Sequence, residues 1–238
     1  MTPTPDATKG TVAIAAIHGG ALELRLASDA PGRGTVVDFS QFRRGQIARH
    51  PLVRAVGKGT GAVIDATAGL GADAWLLAAS GRHVIALERC AAVHDAVADG
   101  LARAGRDPSL EAVAGRITLQ HADSIRALAG LVERARSGGG SIDAIVLDPM
   151  YPHSGSSALP PRDIRLVRAA AGDDVDALDL FAAACHCGVS RVVVRRPHRA
   201  PPMALPATTA LSAPLNAQFG SKLVRYDLYL PFRASPTP

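Results

Sequence analysis

From residue 62 onward, short apolar runs alternate with alanine-rich stretches that have helical spacing. An unbroken apolar run fits a parallel strand covered on both faces better than a strand with one wet face. The predicted parallel strands are residues 62–65, 82–88, 117–120, 144–147 and 191–195. Residues 222–230 mix polar and apolar positions, which predicts an antiparallel edge strand. The alternation therefore predicts a Rossmann-like α/β fold, a mostly parallel twisted sheet with helices on both faces.

The first 56 residues have a different pattern. Residues 11–17, 22–27 and 35–39 have strand character, and in the second of these segments leucines alternate with Glu23 and Arg25, as in a strand with one wet face. A short helix is predicted to end at residue 56, and the glycine-rich residues 57–61 are predicted to be a hinge. We therefore predict a small β-rich N-terminal unit with a linker helix over 1–56, and a main domain over 57–238. The tail from about residue 233 is predicted to be disordered.

Composition limits the classes of function. No apolar stretch reaches the roughly 18 residues of a membrane helix, and the N-terminus lacks a basic start followed by an apolar run, so we predict a cytoplasmic protein outside the membrane. The net charge of +5 favours a polyanionic partner such as nucleic acid, although an arginine-rich composition can also be a bias shared by the proteins of one genome. The three cysteines, Cys90, Cys185 and Cys187, give no disulfide framework and no zinc-site spacing, so no metal is predicted.

The fourth parallel strand ends in Asp148-Pro149-Met150-Tyr151. Asp148 therefore stands at the carboxyl end of a strand, where open α/β sheets bind their ligands. Pro149 and Pro152 fix φ and remove backbone donors, which leaves carbonyl oxygens as acceptors. A carboxylate and carbonyl oxygens suit an exocyclic NH2 group, on whose ring Tyr151 can stack. A strand-ending Asp-Pro turn over a core tyrosine is the alternative interpretation.

A glycine turn follows the first parallel strand. Gly69 and Gly71 let the backbone approach a ligand closely, and the helix that follows offers unpaired N–H groups. Glu88 ends the second strand, where a carboxylate commonly binds both ribose hydroxyls of a nucleoside cofactor. Since Gly69-x-Gly71-x-x-Ala74 also fits a dinucleotide fingerprint, the glycines leave a nicotinamide and an adenosyl cofactor both open.

Five sequence blocks fall in order along residues 36–229: residues 65–71, 87–89, 121–124, 147–153 and 191–197. Together they resemble the ribosomal RNA small subunit methyltransferase J family. That family uses S-adenosylmethionine to methylate N2 of a guanine in the 16S rRNA of bacteria. The resemblance implies a class I methyltransferase fold, this enzyme activity, S-adenosylmethionine as the cofactor, and the small ribosomal subunit or its 16S rRNA as the partner.

By position, the resemblance also implies a set of cofactor-site residues: Ala72, Asp73, Glu88, Arg89, Asp123, Ser124 and Asp148. Together with Asp65, Gly69 and Gly71, they form the predicted S-adenosylmethionine site. The chain departs from the family twice. The family usually has a basic residue at the position of Ala72, where only the backbone can serve here. The basic stretch ahead of the first helix is shortened to residues 42–46.

The predicted catalytic residues are Asp148, Pro149 and Tyr151. The lone pair of guanine N2 is delocalised into its ring, so the nitrogen attacks poorly until hydrogen bonds from its two N–H groups localise that pair. Asp148 and the Pro149 carbonyl are predicted to accept those bonds, and the Asp148 charge favours the positive charge that develops on nitrogen. Tyr151 is predicted to stack on a guanine that has left its helix.

The predicted RNA contacts are Arg43, Arg44, His153, Arg195 and Arg196. The last two lie at the end of the fifth parallel strand, on the same carboxyl edge as Asp148, where they can contact phosphates. Ordinary arginines of a solvated loop are the alternative, and a solvated loop residue is the alternative for His153. The rival functions are a nicotinamide-dependent oxidoreductase, a methyltransferase for another planar amine (a DNA base or protein glutamine), and a non-catalytic RNA-binding assembly factor.

Overall fold

The computed structural model describes residues 12–16, 20–26, 28–42, 47–149, 162–171, 176–205, 211–220 and 224–233. Strands β1 (Val12–Ala16), β2 (Leu22–Leu26) and β3 (Thr35–Val36) form a three-stranded antiparallel sheet in that order. The predicted third strand is shorter than expected, because Asp38 accepts the Ser40 N–H and begins a 3-10 turn.

One detail of the N-terminal prediction is wrong. Glu23 does not lie on a wet face of β2, since its side chain is buried. Its carboxylate accepts the N–H groups of Gly32 and Gly34, which closes the turn between β2 and β3. These two N–H groups satisfy the buried Glu23 carboxylate, so it does not need the solvent-exposed face that the alternating pattern predicted.

The main sheet has seven strands in the order β10-β11-β8-β7-β4-β5-β6. Its strands are β4 (Ala62–Asp65), β5 (Val84–Glu88), β6 (Ile117–His121), β7 (Ile142–Leu147), β8 (Val192–Pro197), β10 (Leu215–Gly220) and β11 (Val224–Tyr229). β4 to β8 are mutually parallel, and β11 runs antiparallel between β8 and β10. The predicted sheet is thereby confirmed. The chain winds outward in opposite directions from β4 and β7, so a ligand crevice is expected between their carboxyl ends.

Helices cover both faces of this sheet. They are α1 (Pro51–Val56), α2 (Ala72–Ala79), α3 (Ala91–Ala104), α4 (Glu111–Ala114), α5 (Ser124–Ser137), α6 (Arg162–Ala171) and α7 (Ala177–His186). On one face, Ile64, Ile145 and Leu147 pack with α5 and α7. On the other, Val63 and Val146 pack with α1 and α2. Neighbouring strand residues thus enter two different cores, which explains why the strands are apolar throughout. The remaining strands, β9 (Leu211–Ser212) and β12 (Phe232–Arg233), pair with each other.

The prediction of an edge strand over residues 222–230 is wrong. β11 is antiparallel as expected, but β10, which follows the proline-rich passage, lies outside it. The polar residues that suggested an edge are paired internally, since Arg225 and Asp227 are buried and form an ion pair of 2.7 Å. Arg225 also donates to the carbonyl oxygens of His198 and Ala200, and so holds the segment after β8.

The N-terminal sheet contacts α3. Asp99 of α3 accepts the Leu22 N–H at 3.1 Å, and Phe39 stacks on Trp75 of α2 with ring centroids 4.4 Å apart. The predicted hinge is bonded to the main sheet, because Arg82 donates to the carbonyl oxygens of Gly57 and Gly61. The division into two units stays a prediction. Residues 234–238 of the predicted tail lie outside the described residues.

In the part of the chain that the structure describes, no helix is long and apolar enough to cross a membrane. Over the same residues, no three His, Cys, Asp or Glu side chains are grouped as metal ligands. Cys185 is buried, and burial raises the pKa of its thiol to about 12. This thiol is therefore an unreactive packing group at neutral pH.

Candidate active site

The carboxyl ends of the central strands bring ionisable residues together. Asp65 ends β4, Glu88 ends β5, and Asp148 directly follows β7. β8 contributes Arg195, because Leu147 pairs with Val194 and the next residue of each strand therefore lies beside the other. The predicted cofactor and catalytic carboxylates thus meet at the crevice where the strand order reverses.

Asp148 is held from both neighbouring strands. On the β4 side, its N–H donates to Thr67 Oγ1 at 2.6 Å. On the β8 side, its Oδ2 accepts a hydrogen bond from Arg195 Nη1 at 2.9 Å. Pro149 is buried. The predicted roles of Tyr151 and His153 fall on residues outside the described ranges, as do those of Arg43 and Arg44.

The glycine turn between β4 and α2 is bonded to Glu88. Gly69 has φ +50° and Gly71 has φ +80°, a left-handed region that favours glycine. Gly69 N–H donates to Glu88 Oε2 at 3.0 Å, and Cys90 N–H donates to Oε1 at 2.7 Å. Burial raises the pKa of Glu88. Ala72, the first residue of α2, is exposed, and only its backbone can offer a polar contact.

Two carboxylates with a buried oxygen lie at this turn. Asp65 Oδ1 accepts the Thr67 N–H at 3.1 Å. The other oxygen of Asp65, and Asp73 Oδ2 on α2, are buried and accept no hydrogen bond within the described part of the chain. Burial, together with the charge of Asp73, raises the pKa of Asp65 to about 8. Burial also raises the pKa of Asp73, against the opposing charges of Arg195 and His50. Buried acceptors of this kind suit a ligand that carries donors or positive charge.

Arg195 faces this acidic cluster. Although burial acts against it, the charges of Asp148 and Asp73 raise the pKa of Arg195. Its strand neighbour Tyr226 lies next to it in the β8–β11 register and is buried. Arg196 points elsewhere: it is buried, and its Nη2 donates to the Pro201 carbonyl oxygen at 2.5 Å. RNA contact by Arg195 and Arg196 stays a prediction, but both guanidinium groups bind protein atoms.

The remaining predicted cofactor residues lie around the ends of β5 and β6. Asp123 caps α5 by accepting the Ile125 N–H at 2.9 Å. Ser124 is buried, and its hydroxyl donates to the Ala66 carbonyl oxygen at 2.6 Å. Arg89 forms an ion pair of 2.7 Å with Asp176. The Ser124 hydroxyl therefore holds the backbone after β4, and the Arg89 guanidinium holds Asp176 at the start of α7.

Sequence reasoning missed Thr67, His50 and Tyr226 as members of this site. Of these three residues, only Thr67 could have been identified from the sequence, because it lies within the block at residues 65–71. His50 precedes α1 and Tyr226 belongs to β11, so only the folded chain brings them to Asp73 and Arg195. The pairing of Arg195 with Asp148 depends in the same way on the register of β7 and β8.

Comparisons with known proteins show that this chain is similar to methyltransferases. Residues 7–231 match the family described as "Putative SAM-dependent methyltransferase". The chain is 37% identical over 238 residues to ribosomal RNA small subunit methyltransferase J of Thioalkalivibrio sulfidiphilus, covering 96% of this chain and 88% of the relative. The protein of the same name from Chromohalobacter salexigens is 40% identical over 187 residues, covering 79% of this chain and 69% of the relative. A SAM-dependent methyltransferase crystal structure from Neisseria gonorrhoeae superposes with a TM-score of 0.69 at 29% identity, covering 97% of this chain and 87% of that one.

The residues at this edge fit S-adenosylmethionine. Its sulfonium and ammonium groups are cationic, and Asp65 and Asp73 each present a buried oxygen without a protein donor in the described residues. Glu88 already accepts two backbone N–H groups, and carboxylate oxygens have further lone pairs for ribose hydroxyls. The first turn of α2 adds backbone N–H groups. The carboxylates and the backbone N–H groups of α2 therefore match both the charge and the hydroxyl groups of this cofactor.

Proposed function

The chain belongs to the ribosomal RNA small subunit methyltransferase J family, and from this premise we propose that it transfers the methyl group of S-adenosylmethionine to N2 of a guanine in small-subunit (16S) rRNA. The observation that carries the proposal is the position of Asp148. It follows β7 at the switch point, beside the carboxylates that fit the cofactor, and its side chain is partly exposed to an incoming base. Since bacterial ribosomal RNA is cytoplasmic, the proposal implies a cytoplasmic enzyme.

The carboxylates that bind the cofactor have two tasks in this mechanism. Asp65 and Asp73 hold the cationic end of the cofactor, and Glu88 accepts hydrogen bonds from its ribose hydroxyls. When bound, the cofactor supplies an electrophilic methyl group on its sulfonium. The glycine turn and the first turn of α2 set the position of the cofactor relative to Asp148. Holding the reacting atoms about 3–3.5 Å apart and in line supplies much of the acceleration.

Asp148 and Pro149 activate the acceptor. The Asp148 carboxylate and the Pro149 carbonyl oxygen accept the two N–H bonds of guanine N2, which draws the nitrogen toward tetrahedral geometry. The charge of Asp148 stabilises the positive charge that grows on nitrogen. After transfer, the nitrogen loses a proton to Asp148 or to water, so no histidine base is required. Tyr151 is proposed to stack on the base, and Arg43, Arg44 and His153 to contact the RNA.

The proposal is tested by tritiated methyl transfer from S-adenosylmethionine. The acceptors are small ribosomal subunits that lack the modification, free 16S rRNA and duplex DNA, followed by nuclease mapping of the product. We expect label in N2-methylguanine of the ribosomal RNA. Label in DNA would contradict the choice of acceptor. Cofactor binding without label in any nucleic acid would contradict the function, and would favour a protein glutamine acceptor or a non-catalytic role in assembly.

A further inference from the structure

Asp148 is fixed at its backbone by Thr67 and at its carboxylate by Arg195. We propose that Arg195 is a positioning residue for methyl transfer, which orients the Asp148 carboxylate toward the amino group of the acceptor. This inference rests on the proposed function, because it assigns Asp148 to the acceptor. It assigns Arg195 to the orientation of the Asp148 carboxylate and no longer to the predicted RNA contacts.

The geometry explains why Asp148 needs such support. The side chains of Arg195 and Asp148 are 34% and 41% exposed, so the pair lies at the mouth of the site. A carboxylate at this boundary can rotate, and a misplacement of about 1 Å at reacting atoms can cost 10²-fold in rate. Thr67 holds only the backbone of Asp148 at 2.6 Å, whereas Arg195 Nη1 contacts Oδ2 itself at 2.9 Å.

The neighbouring arginine has a different task. Consecutive residues of a strand point to opposite faces of the sheet. Arg195 therefore points toward Asp148 and Asp73, while Arg196 points to the other face and donates to the Pro201 carbonyl oxygen. β11 follows the same alternation, since Tyr226 pairs with Arg195 and the buried Arg225 pairs with Arg196. Arg195 therefore contacts Asp148 in the site, and Arg196 binds the segment after β8.

The positive charge of Arg195 predicts different effects of its removal on cofactor binding and on methyl transfer. Arg195 is a cation among the carboxylates of Asp65, Asp73 and Asp148, with His50 and Tyr226 also facing the cluster. Its removal makes the site more negative by one charge. A cationic cofactor then binds at least as tightly, whereas methyl transfer slows because the Asp148 carboxylate loses its hydrogen bond from Arg195. A residue that only maintained the fold would weaken both binding and transfer.

The test compares Arg195→Met, Arg195→Lys and a control, Arg136→Met. Arg136 also pairs with a carboxylate, Glu133 at 2.8 Å, but on the exposed C-terminal turn of α5. Three quantities are measured: the single-turnover rate with saturating RNA and cofactor, the Kd of S-adenosylmethionine for the cofactor-free protein by calorimetry, and Tm. Lysine keeps the charge at the end of a long side chain, so it is the conservative variant.

For Arg195→Met we expect a rate about 100-fold below wild type, with an unchanged or lower cofactor Kd and a Tm close to wild type. Arg195→Lys is expected to recover the rate to within about tenfold, because the charge next to Asp148 is retained. Arg136→Met should match wild type in all three measurements. A wild-type rate in Arg195→Met, or a weaker cofactor affinity with a lower Tm, would overturn the inference. An inactive wild-type protein would refute the proposed function instead, while the cofactor Kd of Arg195→Met still tests the electrostatic argument.

Discussion

The backbone N–H of Gly69 donates a hydrogen bond of 3.0 Å to Glu88 Oε2, which joins the glycine turn after β4 to the end of β5. Two features that the sequence assigned separately to the cofactor are therefore one unit. Cys90 N–H donates to the other oxygen at 2.7 Å, so the carboxylate orientation is set before a ligand arrives. Preorganisation of this kind lowers the entropic cost of binding.

Glu88→Gln should weaken cofactor binding. A glutamine presents an amide NH2 where the carboxylate had an acceptor, and hydrogen bonds to charged groups contribute about 1.5–3 kcal/mol. We expect the Kd of S-adenosylmethionine to rise by about 10- to 100-fold in calorimetry. The control is Glu133→Gln on the exposed part of α5, which should bind as wild type does. Equal affinity in Glu88→Gln and wild type would refute the ribose role.

Stability should fall as the pH rises through neutrality. Burial raises the pKa of Asp65 from its ordinary value of 3.8 to about 8, so the folded protein holds this proton more tightly than the unfolded chain does. The stabilising contribution is complete below pH 4 and is lost as the pH rises toward 8. The raised pKa values of Asp73 and Glu88 act in the same direction. Tm measured by calorimetry should decline over this range, and less steeply in Asp65→Asn. An equal slope in both proteins would contradict the assignment.

Cofactor binding should show the opposite dependence on pH. A cation favours ionised Asp65, so binding should release a proton at neutral pH and tighten as the pH approaches 8. Calorimetry in buffers of different ionisation enthalpy measures that proton directly. Asp65→Asn should bind more weakly and release less. An absence of proton release from the wild-type protein at pH 7 would show that cofactor binding does not change the protonation of Asp65.

Gly71→Ala should destabilise the protein more than Gly139→Ala. Both glycines have nearly the same left-handed φ, +80° and +76°, so both substitutions carry a backbone cost of about 1–2 kcal/mol. A Cβ at Gly71 would lie 3.1 Å from Phe39 Cζ and 3.3 Å from Val97 Cγ1, whereas nothing lies within 4 Å at Gly139. Overpacking should add about 1–3 kcal/mol at Gly71. Urea denaturation measures both losses, and equal losses would show that Phe39 does not limit this turn.

Most of the main domain could be predicted from the sequence. β4 matches the predicted range 62–65, because an unbroken apolar run is a local signal. β10 was missed, because it follows a proline-rich passage and is largely exposed. β11 was placed at the edge because its polar residues look solvated in the sequence, although Arg225 and Asp227 are buried as a pair. Partners across the sheet are tertiary information.

The same limit applies to the site. Asp65, Glu88 and Asp148 end neighbouring parallel strands, so the sequence could predict that they meet. The bond between Arg195 and Asp148 depends on the register of β7 and β8, and on a side-chain direction that a motif does not encode. Tyr226 enters the site from a strand that sequence reasoning placed at the sheet edge.

Asp148→Ala should separate catalysis from RNA binding. The substitution removes the carboxylate that is proposed to accept the guanine N–H and leaves the arginines that are proposed to contact phosphates. Phosphate contacts supply most of the affinity for nucleic acid. We expect methyl transfer to be abolished, while the Kd for 16S rRNA in filter binding stays within about threefold of wild type at a fixed salt concentration. A large loss of RNA affinity would indicate that Asp148 supports the RNA-binding surface.

The most direct test of the central claim is nucleoside mass spectrometry of 16S rRNA from a bacterial strain that lacks the gene and is complemented with wild type or Asp148→Ala. The account predicts that one N2-methylguanosine disappears in the deletion strain, returns with the wild-type protein, and stays absent with Asp148→Ala. An unchanged N2-methylguanosine content in the deletion strain, or full restoration by Asp148→Ala, would contradict it.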